Sequence, residues 1–378
     1  MNNALRIFED KLSRPQVKAV KSVVRGIIRH TTTVLSRLNE EWICDHKYRE
    51  KISNHLNKVD LIDVVEAKAY RCVEKVIKQD DKYIPVSYDE SDLFKPSAKK
   101  MQWMRRLRDG STGLTWTGYL LRGINIWGVS VYSRLEETDA SKISKAEYVM
   151  EAIDHVYKQF DDKRMVTIID RWWDSIELVD EFLSRDRAFM IRWKTNRNVK
   201  IVGSDKLQKI DSLPLWRSEI ELEYWTVIYA WRIQRKGFKD PIILLTNIED
   251  MTQNEALELY LKRWKIEEDF NKMKDLWLED VRLMSLWKVK NLLALIQFII
   301  VLAQDVFNEV MERTSLTAQW IYLHFQKFCK KRSTTMNPQS FIRFVSDNIK
   351  FYESYNISWE LWPTLFWWPR ELKKMGLI

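Results

Sequence analysis

Two short apolar runs constrain this chain more than any other feature. Met165–Asp170 (MVTIID) and Pro241–Thr246 (PIILLT) are continuous in their apolar residues rather than alternating. A strand with one wet face alternates apolar and polar side chains; a strand buried on both faces does not need to. The chain therefore requires a sheet covered on both sides, with helices to cover it. The first run ends on an acid, Asp170. Open α/β sheets place ligands at the carboxyl ends of such strands.

The text around these runs supplies the helices. Residues 1–80 read as helical, and Ser13 followed by Pro15 marks a helix start. At about 100° per residue, Lys18, Lys21, Arg25 and Arg29 fall within about 80° of one another. Val17, Val20, Val24, Ile27 and Ile28 fill the opposing arc. One face is basic and the other apolar, which suits either a solvated bundle helix or a phosphate-contacting stripe. At Tyr83 the texture changes. Ile84–Asp89 (IPVSYD) reads as a strand ending on Asp89, and Gly110, Gly113, Gly118, Gly123 and Gly128 punctuate β-type segments after it. These are five of only 9 glycines, where about 7% usage would give roughly 26. Helices are expected over about 139–159 and 174–186, and a strand at AFMIRWK. Strand-like text fills 199–238, one long helix runs from about Asn254 to Glu279, and residues 287–378 are mostly helical with four late tryptophans, Trp359, Trp362, Trp367 and Trp368. The fold class is α/β, a core flanked by helical N- and C-terminal regions.

Composition excludes several functions. Lys and Arg number 62 against 53 Asp and Glu, a net charge of +9. Such a surplus favours an anionic partner, nucleic acid before membrane. Cys44, Cys72 and Cys329 are far apart, with no CxxC pair, so neither a disulfide scaffold nor a structural zinc site is expected. The N-terminus lacks the apolar region of a secretory signal. The longest apolar run, Leu292 to Ala303, is broken by Gln297 and falls short of the roughly 20 residues of a membrane span. A soluble, intracellular protein without a membrane partner is expected.

The candidate chemistry lies in acids. Asp170 and Asp89 each end a core strand, and a carboxylate at a buried edge needs a metal ion, a cation or several donors. On the expected long helix, Tyr260, Arg263, Glu267 and Lys274 share one stripe, while Ile266, Phe270, Met273 and Trp277 anchor the helix beside it. Glu268 falls away from the stripe, which selects Glu267. Arg263 and Glu267 form an i,i+4 pair worth a few tenths of a kcal/mol. The alternative is a metal-binding carboxylate between cations that hold phosphate oxygens. The five histidines, His30, His46, His55, His155 and His324, form no recognisable motif with Ser or Cys.

This pattern, Tyr-x2-Arg-x3-Glu-x6-Lys, resembles the signature of DDE transposases of the insertion sequence four family. Tyr260, Arg263, Glu267 and Lys274 match it at every spacing, within YLKRWKIEEDFNKMK. YDESDLFKP resembles the first-Asp block, with Asp92 a rival to Asp89; RDGSTG and then GY resemble the family's next segment. IIDRWWD, with Asp170, resembles the second-Asp block, and FMIRWKTNRN resembles the block downstream of it. The likeness runs from about residue 10 to 310. In one departure, Trp172 stands where the family usually has glycine, which puts the local turn in question and not the carboxylate.

The resemblance implies an RNase H-like mixed-sheet catalytic core at 81–198 and 241–310. Within it, Asp89, Asp170 and Glu267 would hold two Mg2+ ions, with Mn2+ able to substitute. The 97 residues between Asp170 and Glu267 (267 − 170) leave room for the family's β-rich insertion at 199–240. A helical domain at 1–80, with Lys18, Lys21, Arg25 and Arg29, would bind the inverted-repeat ends, and 311–378 would form a helical C-terminal region. Tyr260, Arg263 and Lys274 would hold phosphates near the scissile bond. Trp225 and Trp231, in the insertion, are candidates to stack on a flipped base if cleavage passes through a hairpin. The implied activity is cleavage of double-stranded DNA at the ends of a mobile element and joining of the 3′-hydroxyls to target DNA, by a homodimer in bacterial cytoplasm. The rivals are a metal-dependent endonuclease without strand transfer and a DNA-binding protein with a decayed site.

Overall fold

The computed structural model describes the chain except residues 1–3, 31, 36–45, 99, 110–111, 137–143, 205, 222–226, 236–239, 277, 314–315 and 355–378. Trp225, Trp277 and the four late tryptophans lie outside the described residues. The chain divides into two compact units, residues 1–64 with 272–378, and residues 65–271.

The first unit is helical. Helix α1 (Arg14–His30) buries Val17, Val20, Val24, Ile27 and Ile28, as its periodicity requires. It packs with α2 (His46–Leu56). Helix α3 (Ile62–Val76) leads into the second unit.

In the second unit, 11 strands among the described residues form one sheet. The chain lays down β1 (Ile84–Phe94), β2 (Arg105–Arg108), β3 (Thr115–Ile126) and β4 (Val129–Leu135) as antiparallel neighbours. Helix α4 (Lys145–Gln159) then returns it to β5 (Met165–Ile169), parallel to β1. Helix α5 (Ile176–Ser184) returns it again to β6 (Phe189–Trp193), parallel to β5. Every residue of β5 is buried, as a continuous apolar run demands. Strands β7 (Asn198–Ile201), β8 (Leu207–Lys209), β9 (Arg217–Glu221) and β10 (Val227–Ile233) extend the same sheet through β11 (Ile242–Thr246), which pairs antiparallel with β6. The strand-rich stretch at 199–240 therefore continues the main sheet. The result is a mixed α/β fold.

Two expectations need correction. Strand β1 does not end at Asp89. Its parallel ladder with β5 ends at Tyr88↔Ile169, but its antiparallel ladder with β3 runs on to Phe94↔Gly118. The long helix expected from Asn254 is two, α6 (Gln253–Leu261) and α7 (Trp264–Asp275). Between them the amides of Arg263, Lys265 and Ile266 bond three residues back, to Tyr260, Lys262 and Arg263, and this 3-10 spacing tightens the turn.

The first unit resumes with α8 (Leu286–Glu312), α9 (Leu316–Lys331) and α10 (Pro338–Ser354). Helix α8, 27 residues long, is long and apolar enough to cross a membrane, which corrects the shorter run read from sequence; 78% of its most apolar stretch is buried inside the protein. Buried Asn291, directly ahead of that run, accepts from the Leu61 amide at 3.1 Å and donates to the carbonyls of Leu56 and Val59 at 3.0 and 2.9 Å. A polar side chain is tolerated there because its oxygen and its nitrogen both find partners.

Candidate active site

The sheet register brings the first two acids together. Asp89 and Asp170 come directly after the last parallel pair, Tyr88↔Ile169. Asp89 stays in the sheet, opposite Gly123, while Asp170 leaves it into a 3-10 turn, Arg171–Trp173. Side chains alternate along β1, so Asp92 faces the other side of the sheet from Asp89. The 3-10 turn absorbs the residue that departs from the family pattern: Trp172 has no positive φ and is 80% exposed. Trp173 packs edge-on against Tyr88, with ring centroids 5.8 Å apart. Buried Asp174 anchors the turn to the exit of β6, accepting from Lys194 at 2.7 Å and from Arg197 at 3.2 Å.

Helices α6 and α7 supply the rest. A capping box of Thr252 and Glu255 starts α6, and Lys82 holds Glu255 at 2.8 Å. At the end of α6, Tyr260 donates its hydroxyl to Asp170 at 3.0 Å. At the break, Arg263 donates to Asp89 at 3.1 Å and to Glu267 at 2.6 Å. Helix α7 approaches the sheet closely because Gly123 has no Cβ; one would lie 2.8 Å from the Phe270 ring. Asn125 of β3 donates to Asp269 and ties the same helix down. Glu268 turns away to exposed Lys265, which leaves Glu267 facing Arg263.

Burial dominates the electrostatics. Desolvation pushes the Asp89 carboxyl up to about 6; Arg263 pulls it down, and Asp170 and Glu267 push it further up. The Tyr260 hydroxyl rises to about 12, through burial first and the Asp170 charge second. Arg263 is only 3% exposed. Its burial works against the charge, but Tyr260, Asp170, Asp89 and Glu267 together raise it. Asp89 and Glu267 thus converge on one buried guanidinium, and Asp170 acts on it through its charge.

Three carboxylates are a donor set for hard divalent cations, and the raised Asp89 carboxyl shows a negative charge that Arg263 does not fully compensate. Among the described residues, no three acid, His or Cys side chains already lie close enough to share an ion. Arg263 stands between Asp89 and Glu267 and pairs with both.

The other sequence candidates are placed as follows. Lys274 belongs to the first unit, 3.9 Å from Glu279. Lys18, Lys21 and Arg25 line a cleft of about 540 Å³ with Glu9 and Arg14; Lys21 pairs with Glu9 at 2.6 Å and Arg29 is half-buried. Trp231 is 7% exposed and packs in the core with Leu259 and Tyr260, so its ring offers no open face to a base. Sequence reasoning passes over Arg192 of β6, which lies 4.0 Å from Asp170. Alternation within IRWK marks it as the polar face of a buried strand, but its neighbour is fixed only by the β5–β6 pairing.

No curated protein sequence matches the chain. The fold is loosely similar to a synaptic complex of the piggyBac transposase with hairpin DNA, at 9% identity and a TM-score of 0.45, over 89% of this chain and 70% of that one. It is also loosely similar to the Argonaute of Marinitoga piezophila bound to guide RNA and target DNA, at 12% identity and a TM-score of 0.21, over 56% and 32%. Asp89 lies ahead of the segment with a family match. Residues 137–302, which carry Asp170, Tyr260, Arg263 and Glu267, match the family described as the transposase DDE domain.

Proposed function

We propose that this chain is a DNA transposase of the insertion sequence four family, with Asp89, Asp170 and Glu267 as its catalytic acids on an RNase H-like core. One observation carries the reading: acids as far apart in sequence as Asp89 and Glu267 meet at the same buried arginine. Two strands and a helix start deliver the three acids, and a structural ion pair needs no third acid. The match of residues 137–302 supports the same conclusion.

Asp89, Asp170 and Glu267 would hold Mg2+, or Mn2+ in its place. When bound, such ions activate the attacking oxygen and stabilise the leaving one. The chain's own groups then do the rest. Arg263 exchanges its carboxylates for phosphate oxygens, which its planar fork can hold in pairs. Tyr260, kept protonated by its raised value, stays a donor that orients Asp170 or a phosphate oxygen. Arg192 offsets charge beside Asp170. The basic cleft of α1, with Lys18, Lys21 and Arg25, and Arg29 on the same helix bind the element's terminal repeats, Lys274 holds a flanking phosphate, and two protomers pair two ends. A hairpin intermediate belongs to the same proposal.

A strand-transfer assay tests it: linear end DNA, a supercoiled plasmid target and Mg2+. Joined product is expected. Cleavage without joining would reduce the chain to an endonuclease, and binding without cleavage would reduce it to a DNA-binding protein.

A further inference from the structure

The sheet continues well past the acids, and that extension is basic. Beyond Asp89, β1 and β3 run on together to Phe94↔Gly118, and β2 joins them as an edge strand. Strand β2 reads RRLR. Arg105 is half-buried and pairs with Glu136, Leu107 is buried, Arg106 and Arg108 are exposed. Among the described residues, neither Arg106 nor Arg108 has an ion-pair partner.

Register places both on the side of the sheet that holds the acids. Asp89 pairs with Gly123, and Gly123 faces Phe270 of α7. Side chains two residues apart share a face, so Thr117 and Thr115 lie on the Gly123 side. Arg106 pairs with Thr117 and Arg108 with Thr115. Tyr119, on the same face, donates its hydroxyl to the Gln102 carbonyl at 2.7 Å, which draws the turn of Trp103 towards that side. Trp103 is 51% exposed. The surface thus offers two guanidinium groups and an aromatic ring. From Gly123 to Thr117 is 123 − 117 = 6 residues. At about 3.3 Å per residue, Arg106 stands about 20 Å from the level of Asp89 along the strand.

The geometry points to the β2–β3 ribbon as a further DNA-contacting surface, one that grips the backbone of the duplex about six base pairs from the phosphate at the acids. The inference rests on the proposed action on DNA. It adds a site outside the acid cluster and outside the basic helix α1. Charge complementarity selects the partner: two arginines on one face suit evenly spaced phosphates, and about 20 Å corresponds to about six steps of 3.4 Å along a strand.

The test uses the full chain and a fluorescent duplex of about 30 base pairs, with affinity measured by anisotropy over a range of KCl. Arg106→Ala with Arg108→Ala should lower the slope of log K against log[salt] by about 1.8, at about 0.9 for each phosphate no longer neutralised. From about 50 to about 200 mM salt, the wild type should therefore lose about twelvefold more affinity than the double variant. Lysine at both positions should restore the slope. Independently, benzoylphenylalanine at position 106 should crosslink to the duplex on irradiation. If the wild type binds the duplex but the double variant keeps its slope and position 106 does not crosslink, the arginines only guard a sheet edge and the inference is wrong. If the wild type does not bind the duplex at all, the proposed function fails with it.

Discussion

Replacing Asp89 by asparagine measures what it costs to build this site. Burial is the main cause of the rise of the Asp89 carboxyl from 3.8 to about 6, and Arg263 only partly opposes it. At about 1.36 kcal/mol per pH unit, the folded chain carries a penalty of about 3 kcal/mol whenever Asp89 is ionised. Asparagine removes the charge at nearly constant shape. It keeps an oxygen for Arg263, now 3.1 Å away, but puts an NH2 where an oxygen accepts from the Glu90 amide at 2.9 Å. Losing that bond costs about 1 kcal/mol. The variant should therefore be about 2 kcal/mol more stable than the wild type at about pH 8.

The sign depends on pH. The folded value lies above the unfolded one, so between about pH 4 and about pH 6 the folded wild type keeps a proton that the unfolded chain has lost. Its stability from this group is full below that window and falls as pH rises through it. The advantage of D89N should grow from about −1 kcal/mol near pH 4 to about +2 kcal/mol above pH 6, then level off. Urea unfolding in EDTA, followed by tryptophan fluorescence, reads this directly. With an m-value of about 3 kcal/mol/M, the midpoint at about pH 8 should rise by about 0.7 M. Midpoints are the quantity to compare, because the chain has two units. A D89N protein less stable than wild type at that pH, or a difference that does not change with pH, would refute the claim that an ionised Asp89 is poorly compensated. The same variant should be inactive, a trade of activity for stability expected where a site holds unbalanced charge.

Other changes probe separate links in the argument. Glu267→Gln should cut plasmid cleavage by more than about 100-fold, since loss of even an outer partner of a metal ligand costs about 10–100-fold, while gel-shift affinity for duplex DNA stays within about twofold. Gly123→Ala should destabilise by about 1–3 kcal/mol in thermal unfolding, because its Cβ would meet the Phe270 ring; adding Phe270→Leu should recover part of the loss. Thr252→Ala removes the capping box and should cost about 1 kcal/mol in the same assay. Burial and the Asp170 charge should keep Tyr260 protonated throughout the working range, so Tyr260→Phe should lower the cleavage rate without adding a new limb to its pH profile below about pH 9.

How much of the site is legible in the sequence depends on the range over which each signal acts. Asp170 is visible because a local apolar run ends on it, and β5 is buried along its whole length. Glu267 is separable from Glu268 because four residues back to Arg263 is a local distance, and that pair survives the break between α6 and α7. The break itself is hidden. A helical wheel assumes one axis, whereas Arg263 is drawn inward by Asp89, a residue contributed by a distant strand. The sequence marks Asp89 as a strand end, yet β1 continues to Phe94. It is the parallel ladder that ends beside Asp89, and only the pairing Tyr88↔Ile169 fixes that point. Arg192 escapes a reading of the sequence for the same cause: its place beside Asp170 depends on which strand lies next to β6. Local periodicity determines which residues face a core, but two acids distant in sequence become a site only through register. A shift of one residue between β1 and β5 would send Asp89 to the sheet face opposite Arg263. The buried strands are therefore part of the chemistry, because their packing holds the register that keeps the acids together.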